Sequence, residues 1–276
     1  MVTRVAINGF GRIGRQAFKV ALDHPELEVV AINDVGDVKN MAYLLKYDTV
    51  HGRDDEVDAE ESTLVVRGRG FPVLSVREPS ELPWRDLKVD VVIESTGRFA
   101  TRQQAEAHLQ AGAKAVVISA PAKGAPAFVL SVNDSSYNAE DDPIISNASC
   151  TTNSITPVMA ILDEKFGVEK SLMTTVHSYT ADQRLVDSPH SDFRRGRAAS
   201  ENIIPTSTGA ARAATEALPQ LKGKFDGVAL RVPTMDVSIS DLTVLLKRKT
   251  TVDEVNRAFR DAAESDRYRG ILTVSD

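Results

Sequence analysis

The chain of 276 residues is long enough for one large domain or two of ordinary size, and two domains are expected. Its 33 Lys+Arg against 39 Asp+Glu give a formal charge of -6 with no basic tail, which argues against a nucleic-acid surface. No apolar run approaches the roughly 20 residues of a membrane helix, so a membrane span is excluded. Met1 to Arg15 mix arginine with glycine and lack the apolar stretch of a secretory signal, which predicts a cytoplasmic protein. The single cysteine, Cys150, has no internal disulfide partner and acts either as a thiol or as a packed side chain.

Apolar runs alternate with helical patterns through the first half, the signature of an α/β fold with a helix-covered, doubly wound parallel sheet. Arg4 to Ile7 reads as a buried strand, and Arg12 to Leu22 as a helix with Ile13, Ala17, Phe18 and Ala21 on one face. Leu27 to Ile32 is a second strand and Asn40 to Lys46 a short helix. Asp54 to Ser62, with six acids in nine residues, is expected to be solvated loop. Leu64 to Val76, broken by Gly68, Gly70 and Pro72, reads as a hairpin. Val89 to Ile93 is a strand, Thr101 to Ala111 a helix, and Ala115 to Ile118, Phe128 to Val132 and Ile144-Ile145 are further strands. From Cys150 a helix runs to about Phe166, followed by a strand at Ser171 to Val176. Tyr179 to Ser200 has no regular pattern, and a loop that long is usually functional. Gly209 to Leu218 reads as a helix, Val228 to Val232 and Val237 to Lys247 as strands, and Val252 to Glu264 as a last helix.

Gly9-Phe10-Gly11-Arg12-Ile13-Gly14 is a G-x-G-x-x-G between a strand and a helix, the context that gives this pattern meaning. Gly9 suits a tight turn, Gly11 the approach of a pyrophosphate, and Gly14 close packing of helix on strand. Asp34 follows Gly14 by 20 residues, where a carboxylate binds the ribose hydroxyls of an adenosine. It would repel a 2'-phosphate, which favours NAD, although Val35-Gly36 leave room beside the ribose and Ser188 could bond a phosphate, so NADP stays open.

Cys150 stands where the polar stretch Ser146 to Asn153 enters a helix, and free amides there stabilise a thiolate. His177 closes the next strand 27 residues on and can return beside it. A nucleophile, a base and a dinucleotide fold together suggest aldehyde oxidation through a thioester. His24, His51, His108 and His190 lack metal-ligand spacing and are assigned no role.

These residues resemble phosphorylating glyceraldehyde-3-phosphate dehydrogenase. The resemblance runs through Ile7 to Arg15, Leu44 to Asp48, Glu94 to Gly97, Ile118 to Ala122, Ser146 to Asn153, Thr174 to Thr180, Asn202 to Pro205, Ser207 to Ala211 and Arg231 to Thr234. It implies a Rossmann-type domain over residues 1–149 and an α+β catalytic domain with a mixed sheet over residues 150–276. Cys150 would attack the aldehyde of glyceraldehyde 3-phosphate with His177 as base, and inorganic phosphate would cleave the thioester to 1,3-bisphosphoglycerate. By position, Arg12, Ile13, Asp34, Arg77, Thr96 and Ser119 join Gly9, Gly11 and Gly14 as contacts of NAD. Thr180 and Arg231 match the site for the substrate's phosphate; Ser149, Thr151, Thr208 and Gly209, with Arg195 nearby, match a second anion region. Tyr179 to Ser200 resembles a segment that lies against a neighbouring subunit's cofactor, which implies a homotetramer.

Two departures accompany the resemblance. The cysteine often found four residues after the nucleophile is Ser154 here. Family members also continue several dozen residues beyond Asp276, so the chain is expected to be C-terminally incomplete. Erythrose-4-phosphate dehydrogenase, which shares this architecture, and a truncated non-catalytic NAD-binding relative are the competing readings.

Overall fold

The computed structural model describes residues 2–275. It contains two compact units: one holds the chain up to Ala127 together with Tyr137–Ala148, the other Phe128–Ser136 together with the chain from Ser149 onward.

The first unit is built from β1 (Thr3–Asn8), α1 (Arg12–Leu22), β2 (Leu27–Asn33), α2 (Val38–Lys46), the short pair β3 (Tyr47–Asp48) and β4 (Gly52–Arg53), β5 (Val57–Glu60), β6 (Thr63–Val66), β7 (Arg69–Leu74), β8 (Val91–Glu94), α3 (Arg102–Gln110), β9 (Ala115–Ile118) and β10 (Ile144–Ser146). Its eight-stranded sheet has the order β10-β9-β8-β1-β2-β7-β6-β5. Pairing is parallel from β10 to β7 and antiparallel from β7 to β5. The order places β1 and its following turn at the centre of the sheet, where strand order reverses and an open α/β sheet forms its ligand crevice. Helix α1 buries Gly14, Phe18 and Ala21, and Phe18 meets Phe10 and Phe71 edge-on.

Three expectations need correction. Ile13 does not lie on the buried face of α1 but is 56% exposed, because the stripe through Gly14, Phe18 and Ala21 is the one that meets the sheet. The acidic stretch Asp54 to Ser62 contains β5, since Val57 is buried and its acids project outward from an edge strand. Phe128 to Val132 forms no strand; Val129 and Val132 close a turn, and Asn133 Oδ1 accepts from the Val129 amide.

The second unit runs α4 (Cys150–Phe166), β11 (Val168–Ser178), β12 (Ile204–Ser207), α5 (Ala210–Ala217), β13 (Phe225–Val232), β14 (Ser238–Leu246) and α6 (Val252–Glu264). Its sheet, ordered β12-β13-β11-β14, is mixed: β11 and β13 are parallel, the other pairs antiparallel. Strand β12 is not anticipated from sequence, because Pro205 interrupts its pattern; it sits on a sheet edge, where a missing N–H is tolerated. Ile155, Met159, Phe166, Met173, Ala214 and Leu221 form the core, and the run of alanines in α5 lets that helix pack closely. Leu172, Val228, Ile239 and Leu245 are exposed on the strands.

Candidate functional site

The turn after β1 requires its glycines. Gly9 has φ +95°, and a Cβ there would sit 2.6 Å from the Thr96 nitrogen; a Cβ on Gly14 would sit 2.0 Å from the Gly9 carbonyl oxygen. Gly11 is different, with nothing within 4 Å of its Cβ position. It is also the N-cap of α1 and brings no side-chain acceptor, so the helix's first amides are not capped from within. Open space over uncapped amides is what an anionic pyrophosphate needs.

Beside this turn lies a cavity of about 220 Å³ lined by Gly9, Gly11, Asp34, Arg77 and Thr96 of the expected residues, and by Asn8, Asn33, Ser95 and Arg98 in addition. Asp34 Oδ2 accepts from the Phe10 amide at 2.7 Å and Oδ1 from the Gly36 amide at 2.9 Å, which fixes the carboxylate at the cavity wall. The residues present fit a dinucleotide: an open glycine, uncapped amides, an oriented acid and an arginine. Arg12 is exposed and does not line this cavity, and Gly14 is buried at the strand–helix contact. Ile13 and Ser119 line a separate apolar groove of about 320 Å³ on the same unit. Asn8 and Asn33 were visible in the sequence only as polar residues ending apolar runs.

In the second unit, Cys150 is the first residue of α4 and is exposed. Ser149 caps the helix, its Oγ accepting from the Thr152 amide at 3.0 Å. His177, near the end of β11, brings Nε2 to 3.3 Å from Cys150 Sγ. The hydrogen bond with His177 holds the thiol below its ordinary value against the opposing effect of burial. The same bond raises His177 against burial and Arg231, with the Ser178 carbonyl helping. A thiol pulled down and an imidazole pushed up favour a thiolate–imidazolium pair, the reactive form of a cysteine.

Arg231, on β13, is the register partner of His177 and donates to the Ser178 carbonyl at 2.9 Å. Its Nε is buried with no hydrogen-bond partner among the described residues. Thr180 donates its hydroxyl to Asp182, and Arg195 Nη1 donates to the other oxygen of that carboxylate at 2.6 Å. Burial alone would raise Asp182; the bonds from Thr180 and Arg195 outweigh it and hold the group below its ordinary value. Asp182 was not singled out from sequence, since one acid in a polar loop carries no signal until its partners are placed. Arg195 Nε also donates to Thr206 at 2.9 Å. Thr151 is buried in the first turn of α4, Thr208 Oγ1 accepts from the Ala210 amide at 3.2 Å, and Gly209 is the N-cap of α5. The two arginines and a thiol with its base can together bind phosphate groups and form a covalent adduct with a carbonyl carbon.

Two family models match the chain: glyceraldehyde 3-phosphate dehydrogenase, NAD binding domain, over residues 3–102, and glyceraldehyde 3-phosphate dehydrogenase, C-terminal domain, over residues 149–276. Among curated proteins, glyceraldehyde-3-phosphate dehydrogenase 1 of Bacillus cereus is 53% identical over 100% of this chain and 83% of its own length. The glyceraldehyde-3-phosphate dehydrogenase of Streptomyces coelicolor is 54% identical with the same coverage. A chloroplastic glyceraldehyde-3-phosphate dehydrogenase of Arabidopsis thaliana is 53% identical over 99% of this chain and 70% of its own length.

Proposed function

Because the chain belongs to the glyceraldehyde-3-phosphate dehydrogenase family, we propose that Cys150 and His177 carry out that family's chemistry in it. The protein oxidises D-glyceraldehyde 3-phosphate to 1,3-bisphosphoglycerate, using NAD and inorganic phosphate, as a step of glycolysis. The 3.3 Å contact between Cys150 Sγ and His177 Nε2 at the start of α4 is the observation that carries the assignment.

In the proposed mechanism the Cys150 thiolate attacks the aldehyde carbon, and the C=O electron pair moves to oxygen. The imidazolium Nε2–H of His177 protonates that oxygen, leaving a thiohemiacetal and a neutral imidazole. Nε2 then takes the hydroxyl proton back as the carbon loses hydride, and the carbonyl reforms as a thioester. NAD supplies the hydride acceptor when bound. Inorganic phosphate attacks the thioester carbon, the C–S bond breaks, and the electron pair returns to sulfur as thiolate. Thr180 and Arg231 bind the substrate's own phosphate; Ser149, Thr151, Arg195, Thr208 and Gly209 receive the attacking phosphate. Gly9, Gly11, Asp34, Arg77 and Thr96, which line the cavity, hold NAD; Gly14 serves by letting α1 pack against the turn, and Arg12, Ile13 and Ser119, which lie outside the cavity, are assigned to the cofactor by the family pattern alone. The first unit thus serves the cofactor and the second the chemistry, a division that differs from 1–149 and 150–276 in that Ser149 and Phe128–Ser136 belong to the second unit.

We also infer a homotetramer and a cytoplasmic location. The segment 179–200 exposes Leu185 at 79% and Phe193 at 89%, apolar side chains that an assembly would cover. Among the described residues, no helix is long and apolar enough to cross a membrane.

The test is a rapid-mixing experiment with NAD and glyceraldehyde 3-phosphate, without inorganic phosphate. NADH should form in a burst of about one per chain and then stop, and added phosphate should restore turnover. Cys150→Ser should abolish the burst while NAD still binds. A burst in that variant, or turnover indifferent to phosphate, would overturn the assignment.

A further inference from the structure

Beneath the NAD cradle lies a buried polar cluster that neither the glycine turn nor the thiol chemistry uses. At its centre is Glu94, the last residue of β8, which is 2% exposed. Its Oε2 accepts from Asn8 Nδ2 at 2.5 Å and from His108 Nε2 at 3.0 Å. Its Oε1 accepts from the Thr96 amide at 2.8 Å and the Thr96 hydroxyl at 2.5 Å.

His108, 0% exposed on α3, can donate to Glu94 because of a residue further back. Trp84 Nε1 lies 2.9 Å from His108 Nδ1, and an indole N–H only donates. His108 Nδ1 must therefore accept, the ring is neutral, and its one hydrogen sits on Nε2, aimed at Glu94. The 3.4 Å approach of Asn8 Nδ2 to His108 Nε2 is then two donors converging on one carboxylate oxygen.

On the other side the network ends on the cavity wall. Asn8 Oδ1 accepts from Asn33 Nδ2 at 2.7 Å, and Asn33 Oδ1 accepts from the Val76 amide at 2.9 Å. Ser95 Oγ donates to the Gly9 carbonyl at 2.7 Å, tying the segment after Glu94 to the glycine turn. Asn8, Gly9, Asn33, Val76, Ser95 and Thr96 all line the cavity; Trp84 and His108 do not. A carboxylate held by four donors, none of them a cation, is an expensive way to pack strand ends, for which apolar side chains would serve as well or better. What the arrangement does achieve is a fixed geometry for the residues facing the dinucleotide.

We propose that Glu94 is a positioning residue of the NAD site: oriented by His108 and Trp84, its carboxylate holds Asn8 and Thr96 in the conformation that binds the cofactor. The proposal rests on the NAD reading of the cavity. A glutamine at this position offers one acceptor oxygen and an NH2 group to four converging donors.

The experiment is calorimetric titration of the full chain with NAD, alongside melting temperature. Glu94→Gln should raise the NAD dissociation constant about tenfold or more. Glu94→Gln with Thr96→Ala should bind no more than about twofold more weakly than the worse single variant, since both act through the same bonds. His108→Gln keeps a donor for Glu94 and an acceptor for Trp84, and should bind within about threefold of the parent, whereas His108→Leu should lose about tenfold. A lowered melting temperature with an unchanged dissociation constant in Glu94→Gln, or equal losses in the two His108 variants, would overturn the proposal as merely structural. If Glu94→Gln does not fold, the His108 pair decides. A parent chain that takes up no NAD would overturn the cofactor reading itself, a result distinct from a parent that binds and variants that bind equally well.

Discussion

Arg231 Nη1 lies 2.8 Å from Nδ1 of His177, its partner on the neighbouring parallel strand. The same Nδ1 lies 2.7 Å from the Ser178 carbonyl, which also accepts from Arg231. One ring nitrogen cannot accept from a guanidinium and donate to a carbonyl at once. We place the hydrogen on Nδ1, donating to Ser178, because this leaves Nε2 free to exchange a proton with Cys150. Arg231 is then a cation beside the ring, which accounts for its lowering of His177 while Cys150 and Ser178 raise it.

The pH dependence of Cys150 alkylation follows from these directions. A lowered thiol and a raised imidazole ionise as a pair, so the thiolate forms below 9.0, the value of an unperturbed thiol. Iodoacetamide should therefore react faster at neutral pH than it does with an unperturbed thiol, with the inflection below 9.0. In His177→Asn the inflection should move upward toward 9.0. An identical profile in the two proteins would separate the histidine from the thiol's reactivity.

Arg231→Ala should lower kcat/KM for glyceraldehyde 3-phosphate by about 10- to 100-fold, the worth of one or two hydrogen bonds to a charged group. The sign of a second effect is opposite to simple damage. Arg231 lowers His177, so its removal should raise the imidazole further and extend the thiolate–imidazolium pair to higher pH. Histidine chemical shifts followed by NMR titration would check this, and a downward move would contradict it.

Two glycines of the turn should fail differently. Gly14→Ala places a methyl 2.0 Å from a backbone oxygen and should destabilise the fold by about 1–3 kcal/mol. A Cβ at Gly11 meets nothing within 4 Å, so Gly11→Ala should leave the melting temperature nearly unchanged while weakening NAD binding. Thermal unfolding with and without NAD distinguishes the two; equal melting losses would refute the distinction.

Asp34→Asn replaces a carboxylate whose oxygens both accept from backbone amides. Removing the negative charge should shift the ratio of NADP to NAD affinity upward by about tenfold. Titration with both cofactors gives the ratio, and an unchanged value would mean that discrimination lies elsewhere in the cavity.

Much of this was legible in the chain. Helices α1 and α6 begin and end where their patterns place them, α4 begins at Cys150 as expected, and Gly9, Gly11 and Gly14 announce their turn. Misplacements occurred where partners distant in sequence decide the outcome. Val57 makes a strand of an acidic stretch because α2 and β6 cover it, and Ile13 turns outward because the sheet meets another stripe of its helix. His108, which the sequence assigns no role, is made a buried connector by Trp84 and Glu94.

By itself the sequence determined the local conformations and the chemical types available: a positive φ at Gly9 disfavours a side chain without any partner, and a helix N-terminus needs none to favour a thiolate. Only the tertiary structure decided which atoms meet. That His177 reaches Cys150, that Arg231 flanks it, and that Glu94 gathers Asn8, Thr96 and His108 all depend on strand order and register. Those are settled by burial summed over whole sheets, a quantity no local window of sequence contains.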